Sequence, residues 1–204
     1  NSALQAFNKC FEMKSDDYDI NVNLAFLFNK VQDYKNSLKF SENAMKIKDD
    51  MPEVHHNMGL AYLNISELEK AEQYFLKSIE LRGGLNNLDI LRFKDTLNYY
   101  TDVLLAKGDI ESFKTVSQKI LDKDVFFGDM FRKVHRNDPE AITEKHVKIL
   151  YRTLEELEDY KDLINRNLTK SSIYMCLAEY FNNTDQKKSE EYYIQSNKIV
   201  SEIQ

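Results

Sequence analysis

The stretch that decides the fold covers residues 52–81 and reads PEVHHNMGLAYLNISELEKAEQYFLKSIEL. Within each half, small and aromatic residues recur at intervals of three or four, at Gly59, Tyr62, Ala71, Phe75 and Ser78. These intervals place side chains on one face of a helix. The stretch therefore predicts two consecutive helices that approach closely at the small residues, with the aromatic rings filling the space between them.

The same pattern occurs 34 residues earlier, where Leu24-Ala25-x-x-Phe28 corresponds to Met58-Gly59-x-x-Tyr62. The match continues into the second helix, where the corresponding residues are Tyr34, Ser37, Ala44 and Ile47, followed 34 positions later by Leu68, Ala71, Ser78 and Leu81. A further step back reaches Ala3, Phe7 and Cys10. We therefore expect the chain to start inside the second helix of a repeat.

This unit resembles the tetratricopeptide repeat, a 34-residue helix-turn-helix element. It departs from the family pattern at His55, which stands in place of the usual tryptophan, and at Ser41, which replaces the later aromatic residue in the first copy. The resemblance implies an all-α fold, a right-handed α-solenoid of stacked helix pairs. It also implies an inner face, lined by the first helix of each pair, that binds peptides or partner domains.

Two weaker copies follow. In the third, Thr101 stands 42 positions after Gly59, which indicates about eight inserted residues around 83–87, and Gly108-Asp109 marks the turn. The fourth contains Leu177-Ala178-x-x-Phe181 and a turn over 182–185. Between them, the apolar residues from Ile142 to Leu163 predict one long amphipathic helix or two abutting ones.

These observations predict the domain organisation of the chain. We expect a repeat array over residues 1–121, an irregular helical insert over 122–169 and a final helix pair or cap over 170–204. The array consists of a partial repeat and three repeats, over residues 1–17, 18–51, 52–84 and 94–121.

Composition supports the helical interpretation. The 204 residues include 5 Gly and 2 Pro, too few for the turns of a sandwich or barrel. A net charge of −6 argues against a nucleic-acid partner. Cys10 and Cys176 lie far apart, as expected of reduced core thiols, and no apolar run is long enough to span a membrane. We expect a cytoplasmic protein.

The sequence contains no pattern typical of catalysis. Its glycines form neither a phosphate-binding loop nor a dinucleotide fingerprint. His55 and His56 point about 100° apart on a helix and cannot share one metal ion. Neither Cys10 nor Cys176 has a histidine nearby in the sequence that would act as the base for a thiol nucleophile. We therefore expect no cofactor, no metal and no catalytic residue in this chain.

The resemblance assigns a partner-binding groove to the first helix of each pair. The groove residues that it implies are Asn23, Phe26, Asn57, Leu60, Asn64, Asn98, Tyr99 and Asp102. Asparagine amides can bond both polar groups of a peptide backbone, and Phe26, Leu60 and Tyr99 are candidate apolar anchors. The alternative is that about half of these positions face the following helices.

The subset of this family that binds chaperone tails uses a basic clamp for two carboxylates in the groove. Here the basic positions are occupied by Val22, His56, Asp95 and Tyr99, which argues against such a ligand. Asn57 keeps one clamp-like position.

A second resemblance concerns the last seventy or so residues. The order of His135-Arg136, Asp138-Pro139 and Leu177-Ala178-x-x-Phe181 is similar to the stretch that joins the repeats to the catalytic domain in bacterial repeat-containing sulfotransferases. The two resemblances and the repeat array together leave three functions as hypotheses. The chain is an adaptor that binds a peptide or domain, or it is the non-catalytic arm of a larger sulfotransferase-like enzyme, or it self-associates through an uncapped apolar face.

Overall fold

The computed structural model describes residues 14–85, 93–122, 128–159 and 161–203, which form ten α-helices and two short 3-10 helices. The predicted all-α fold of stacked helix pairs is confirmed. The chain divides into two compact units, Asn1–Val116 and Ser117–Gln204. The first 13 residues, with the expected partial repeat's Ala3, Phe7 and Cys10, lie outside the described residues.

The first unit contains three helix pairs. Their α-helices are α1 (Tyr18–Lys30), α2 (Tyr34–Ile47), α3 (Pro52–Asn64), α4 (Leu68–Leu81), α5 (Lys94–Lys107) and α6 (Ile110–Leu121), the last of which crosses the boundary between the units. Each bound of α3 and α4 lies 34 positions after the corresponding bound of α1 and α2. The period of the side-chain pattern is therefore also the period of the backbone.

The turns inside the three pairs share one backbone feature. Gln32 and Ser66, 34 positions apart, adopt the left-handed conformation with φ of 62° and 64°. Gly108, 42 positions after Ser66, has φ of 73°. The third turn thus has glycine at this position, the residue type that adopts the left-handed conformation without steric strain. The offset of 42 is the one predicted from Thr101, and part of the eight-residue insertion lies outside the described residues.

Close packing within the second pair depends on Gly59. A Cβ atom at this position would lie 2.7 Å from Cδ1 of Phe75, which is fully buried on α4. The first pair has Ala25 and Ser41 at the two equivalent positions, both also fully buried. A larger residue on the first helix is therefore matched by a smaller one on the second.

Side chains at the helix ends account for the observed starts. The Asp17 carboxylate accepts a hydrogen bond from the Ile20 amide at 3.1 Å, and Asp33 accepts one from Asn36 at 3.2 Å. Pro52 occupies the first position of α3, where a missing N–H causes no loss of helical bonding.

The second unit contains α7 (Gly128–Asn137), α8 (Glu144–Glu156), α9 (Leu163–Phe181) and α10 (Gln186–Ile203), with 3-10 helices at Pro139–Ala141 and Leu157–Asp159. Of the two alternatives for the amphipathic stretch, the structure shows two helices, and Leu163 belongs to the second. The helix that carries Leu177 thus begins ahead of residue 170. The proposed division into array, insert and final pair stays a prediction.

The α9–α10 pair is held partly by buried serines. The Ser171 and Ser196 hydroxyls lie 2.8 Å apart, and the Ser189 hydroxyl donates to the Ala178 carbonyl at 2.9 Å. None of the helices in the described part of the chain combines the length and apolar character that crossing a membrane requires. Cytoplasmic location stays a prediction.

Candidate functional site

The predicted groove residues all lie on α1, α3 and α5, the first helices of the three pairs. These helices are neighbours in the first unit, since α1 contacts α3 and α3 contacts α5. We call the exposed side of these three helices the A face. Whether a predicted residue is available to a partner depends on its burial and on the hydrogen bonds that it already makes.

The α1–α3 interface is polar. The Asn29 side-chain amide donates to the main-chain carbonyl of Asn57 at 3.0 Å, and the Asn57 amide donates to the Val22 carbonyl at 3.2 Å. Asn57 is only 3% exposed. Its side chain therefore joins two helices and faces the preceding first helix, whereas the alternative expected contacts with following helices.

The α3–α5 interface is aromatic. The His56 ring lies 5.9 Å from the Tyr99 ring and 6.0 Å from the Phe75 ring, and the Phe75 and Tyr99 rings stack at 6.2 Å between centroids. Nδ1 of His56 and the Thr96 hydroxyl are 2.9 Å apart. Tyr99 is half-buried within this cluster, so only part of its ring is open to a partner.

The environment of His56 keeps its imidazole neutral. Burial is the main cause, and the Arg82 and Lys30 cations act in the same direction, while Asp95 opposes them; together they lower the pKa of His56 to about 4. At neutral pH this residue therefore contributes a ring and a hydrogen bond to the interface, and no charge.

Exposed residues on the A face include one large apolar side chain. Phe26 is 43% exposed on α1, and the Lys30 ammonium lies 5.2 Å from the centre of its ring. The equivalent positions on α3 and α5 hold Leu60 and Asp102, both half-buried. Lys30 is not among the predicted site residues, although its position one turn after Phe26 on a helix could have indicated the contact.

The predicted asparagines differ in their availability. Asn23 and Asn64 are exposed, and each donates one N–H to the carbonyl four residues earlier, both at 2.8 Å. Asn98 is half-buried on α5, and its carbonyl accepts a bond from the Thr101 hydroxyl at 2.8 Å. Asn23 and Asn64 are thus the two asparagines of the predicted set that face solvent.

An acidic residue stands at the same repeat position in the first turn of each of these helices. Asp19, Glu53 and Asp95 are all exposed. Carboxylates at a helix N-terminus are stabilised by the helix dipole, which accounts for their placement. Glu53 also pairs with Arg82 at 3.2 Å, leaving the edge of the A face acidic near Asp19 and Asp95.

The described residues include no group of three or more His, Cys, Asp or Glu side chains that could hold a metal ion. Cys176 is fully buried in the second unit, where its thiol lies 3.5 Å from the Gly128 carbonyl, and Cys10 lies outside the described residues. The exposed side chains of the A face can make non-covalent contacts with a partner.

Comparison with known proteins links one part of the chain to a family. Residues 52–84 match the family model described as Tetratricopeptide repeat. No curated protein matches the chain. A solved structure, described as YrrB, a TPR protein with an unusual peptide-binding site, is 14% identical with a TM-score of 0.47, covering 96% of this chain and 93% of its own. None of these comparisons supports the resemblance to sulfotransferases.

Proposed function

We propose that the chain is a protein-interaction scaffold whose A face binds an extended segment of a partner protein. The observation that carries this proposal is Phe26, a large apolar side chain that is 43% exposed on the first helix of a repeat. Stacked repeats of this kind use the surface formed by their first helices for recognition. The match of residues 52–84 to the tetratricopeptide family supports the same function.

The chemistry of the A face favours a partner segment with one apolar side chain and a nearby basic one. An apolar side chain can cover Phe26 and the partly open Leu60, removing apolar surface from water. The exposed amides of Asn23 and Asn64 can bond the partner's backbone. A basic residue would meet the acidic edge at Asp19.

In this proposal the eight predicted residues have different roles. Asn57 and Tyr99 hold neighbouring helices together, and a partner contacts mainly those that are more open. These are Asn23, Phe26, Leu60 and Asn64, with Asn98 and Asp102 at the α5 end. The proposed function involves binding and no chemical step.

Substitution of Phe26 tests the proposal against a matched control. Leu76 lies on α4, the second helix of a pair, and is also 43% exposed. Peptides selected from a displayed library for binding to the chain should bind Phe26→Asp at least about tenfold more weakly, a loss typical of an interface anchor. The same peptides should bind Leu76→Asp as they bind the parent chain.

The readout is the dissociation constant measured by fluorescence anisotropy, with circular dichroism as the check on folding. Equal loss of binding in both variants, or no loss in either, would contradict the proposal. Sedimentation of the parent chain and of the same two variants tests the self-association hypothesis. That hypothesis requires the parent chain to be a dimer.

A further inference from the structure

The second unit contains a small cavity that the proposed function does not use. It has a volume of about 190 Å³ and lies where three helices meet. Its lining residues are His135 and Arg136 from α7, Glu179 from the end of α9, Asn182 and Asn183 from the turn after α9, and Tyr193 from α10. A space of this size admits a single functional group with a short aliphatic stem.

The two charges in the cavity are not equally accessible. An Nη2 hydrogen of Arg136 is donated to Oε1 of Glu179. The Arg136 side chain is 66% exposed, whereas that of Glu179 is 13% exposed. The second carboxylate oxygen, Oε2, is buried, without a hydrogen-bond partner among the described residues. A molecule entering from solvent therefore meets the guanidinium before the carboxylate.

The other polar groups around the cavity are mostly potential donors. A guanidinium has five N–H groups, and the pair with Glu179 uses one of them. Asn182 and Asn183 are exposed and carry amide N–H groups, and the half-buried Tyr193 carries a phenol O–H. Several donors around one accessible cation suit a ligand that only accepts hydrogen bonds.

His135 adds a neutral donor to this set. Its ring lies 6.3 Å from the Tyr180 ring. Burial lowers the pKa of His135 and Arg136 acts in the same direction, while Glu179 opposes the shift. The imidazole is therefore mainly neutral at pH 7 and can offer one N–H without adding charge.

Besides the Glu179 carboxylate, which is paired with Arg136, one feature of the fold opposes an anion here. The cavity lies at the C-terminal end of α9, where the helix dipole favours cations. Two of the last carbonyls are, however, already bonded: Phe181 O accepts from the Thr184 and Asp185 amides, and Glu179 O accepts from the Asn182 amide. The dipole effect is also small at an exposed helix end, compared with the direct contact of a carboxylate with a guanidinium.

From this geometry we propose that the cavity binds a carboxylate through Arg136, with the Asn182, Asn183 and Tyr193 side chains as further donors. The carboxylate comes either from an acidic side chain or from the C-terminus of a polypeptide, since both present the same group. Arginine suits this role because its planar fork can hold a carboxylate with two parallel bonds while a third N–H holds Glu179. No residue of this site belongs to the A face, so the proposal does not rest on the proposed function.

The proposal is tested by titrating the isotope-labelled 204-residue chain with propionate, and in parallel with propylammonium, a cation of similar size. The signals to follow are the side-chain amides of Asn182 and Asn183. Propionate should shift both with a saturable curve, and propylammonium should not. Saturable binding of propylammonium alone, or no shift with propionate, would overturn the proposal.

Two variants at the ion pair are expected to change affinity in opposite directions. Arg136→Gln should weaken propionate binding about tenfold, because it removes the charged donor. Glu179→Gln should strengthen it about threefold, because it removes the competing negative charge while keeping a hydrogen-bonding group. A cation site would respond in the reverse order, and such a reversal would refute the carboxylate assignment.

Arg152→Gln is the matched control. Arg152 is an exposed arginine on α8 that pairs with Glu156 at 3.6 Å and does not line this cavity. Its variant should bind propionate within about twofold of the parent, since distant surface charges contribute little. A loss equal to that of Arg136→Gln would mean that bulk charge, and no site, attracts the anion.

Because Arg136→Gln leaves a buried carboxylate without its partner, its fold must be checked by circular dichroism. Tyr193→Phe provides an independent variant that removes only a hydroxyl, and it should weaken propionate binding about threefold. Unchanged binding in Tyr193→Phe together with Arg136→Gln would contradict the proposal.

Two short peptides then distinguish the sources of the carboxylate. Acetyl-Gly-Glu-Gly-amide carries only a side-chain carboxylate, and acetyl-Gly-Gly-Gly carries only a terminal one. Tighter binding of either than of propionate supports the proposal and identifies the source. If neither peptide binds while propionate does, the site does not serve polypeptides and that part of the proposal is wrong.

Discussion

The two interfaces between neighbouring first helices use equivalent positions for different chemistry. At the α1–α3 interface Asn57 reaches back to the main chain at Val22, and at the α3–α5 interface Tyr99 reaches back to the ring of His56. Asn57 and Tyr99 occupy one repeat position, and Val22 and His56 occupy another. The first contact is a hydrogen bond and the second a ring contact.

This difference shows that the period determines which positions meet, while the residue type determines how they interact. A hydrogen bond is directional, so it requires an amide side chain whose N–H lies at the right distance and angle from the carbonyl. A ring cluster instead fills volume and recruits a third helix, because Phe75 of α4 stacks on Tyr99. We expect the stability of the aromatic interface to fall when side-chain volume is added or the pH is lowered. We expect the stability of the polar interface to fall when a single hydrogen-bond donor is removed.

The largest expected effect comes from adding volume behind the aromatic interface. Gly59→Leu would force a side chain into the space of Phe75, whose ring carbons lie 2.7 and 2.8 Å from an ideal Cβ. The displaced ring would also lose its stacking on Tyr99. We expect the free energy of unfolding, measured in urea, to fall by about 3 kcal/mol or more.

The control for this variant is Ala25→Gly at the equivalent position of the first pair. It adds no volume and should lower the free energy of unfolding by only about 1 kcal/mol, mainly through the poorer helix propensity of glycine. Similar losses in the two variants would mean that the close approach at Gly59 is not what limits the second pair.

Acid should weaken the aromatic interface and leave the polar one intact. The pKa of His56 is about 4 in the folded chain, below its ordinary value of 6.5. The neutral ring therefore contributes fully above pH 6.5, and its contribution is lost as the pH falls toward 4. One pKa unit corresponds to about 1.4 kcal/mol, so we expect a loss of up to about 3 kcal/mol across this range.

The measurement is urea unfolding at a series of pH values, with His56→Gln as the reference. Carboxylates also titrate in acid, but they do so in both chains, so the difference between the two curves isolates the imidazole. The gap in stability should narrow as the pH falls from 6.5 toward 4. A constant gap would show that His56 is not held neutral by its surroundings.

The smallest expected effect concerns the polar interface. Asn57→Ala removes the donor to the Val22 carbonyl and should lower the free energy of unfolding by about 1–2 kcal/mol, independently of pH between 4 and 7. Asn23→Ala is the control, because Asn23 has the same repeat position but is exposed on α1. It should cost less than about 0.5 kcal/mol in thermal or urea unfolding. Equal losses would indicate that the bond to Val22 adds nothing to stability.

The sequence predicted the helix pairs because small residues such as Gly59 and Ala71 recur with the backbone period. It also assigned the candidate site residues to the first helices of the pairs, which is where they lie in the structure. It did not separate exposed Asn23 from buried Asn57, which share one repeat position. That distinction depends on which helix lies beside each residue, and a repeat pattern assigns the same environment to both.

The break between α8 and α9 shows a different limit of sequence reasoning. The apolar spacing from Ile142 to Leu163 is compatible with one helix or two. Asp162, whose carboxylate accepts a bond from the Asn165 amide at 3.1 Å, starts the second helix. An aspartate at that place is a start signal, but periodicity alone could not show that it interrupts the stretch.

The left-handed residue in each turn of the first unit has a fixed position within its helix pair. In all three pairs the first helix begins 14 positions before that residue, and the second begins 2 positions after it. The eight extra residues between the second and third pairs leave both intervals unchanged. Length can therefore vary at the joints between pairs at small entropic cost, whereas one residue added inside a hairpin would rotate every buried side chain of the following helix out of register. Residues 18–47 and 52–81 therefore share one backbone frame, and an engineered insertion belongs between these segments and not inside them.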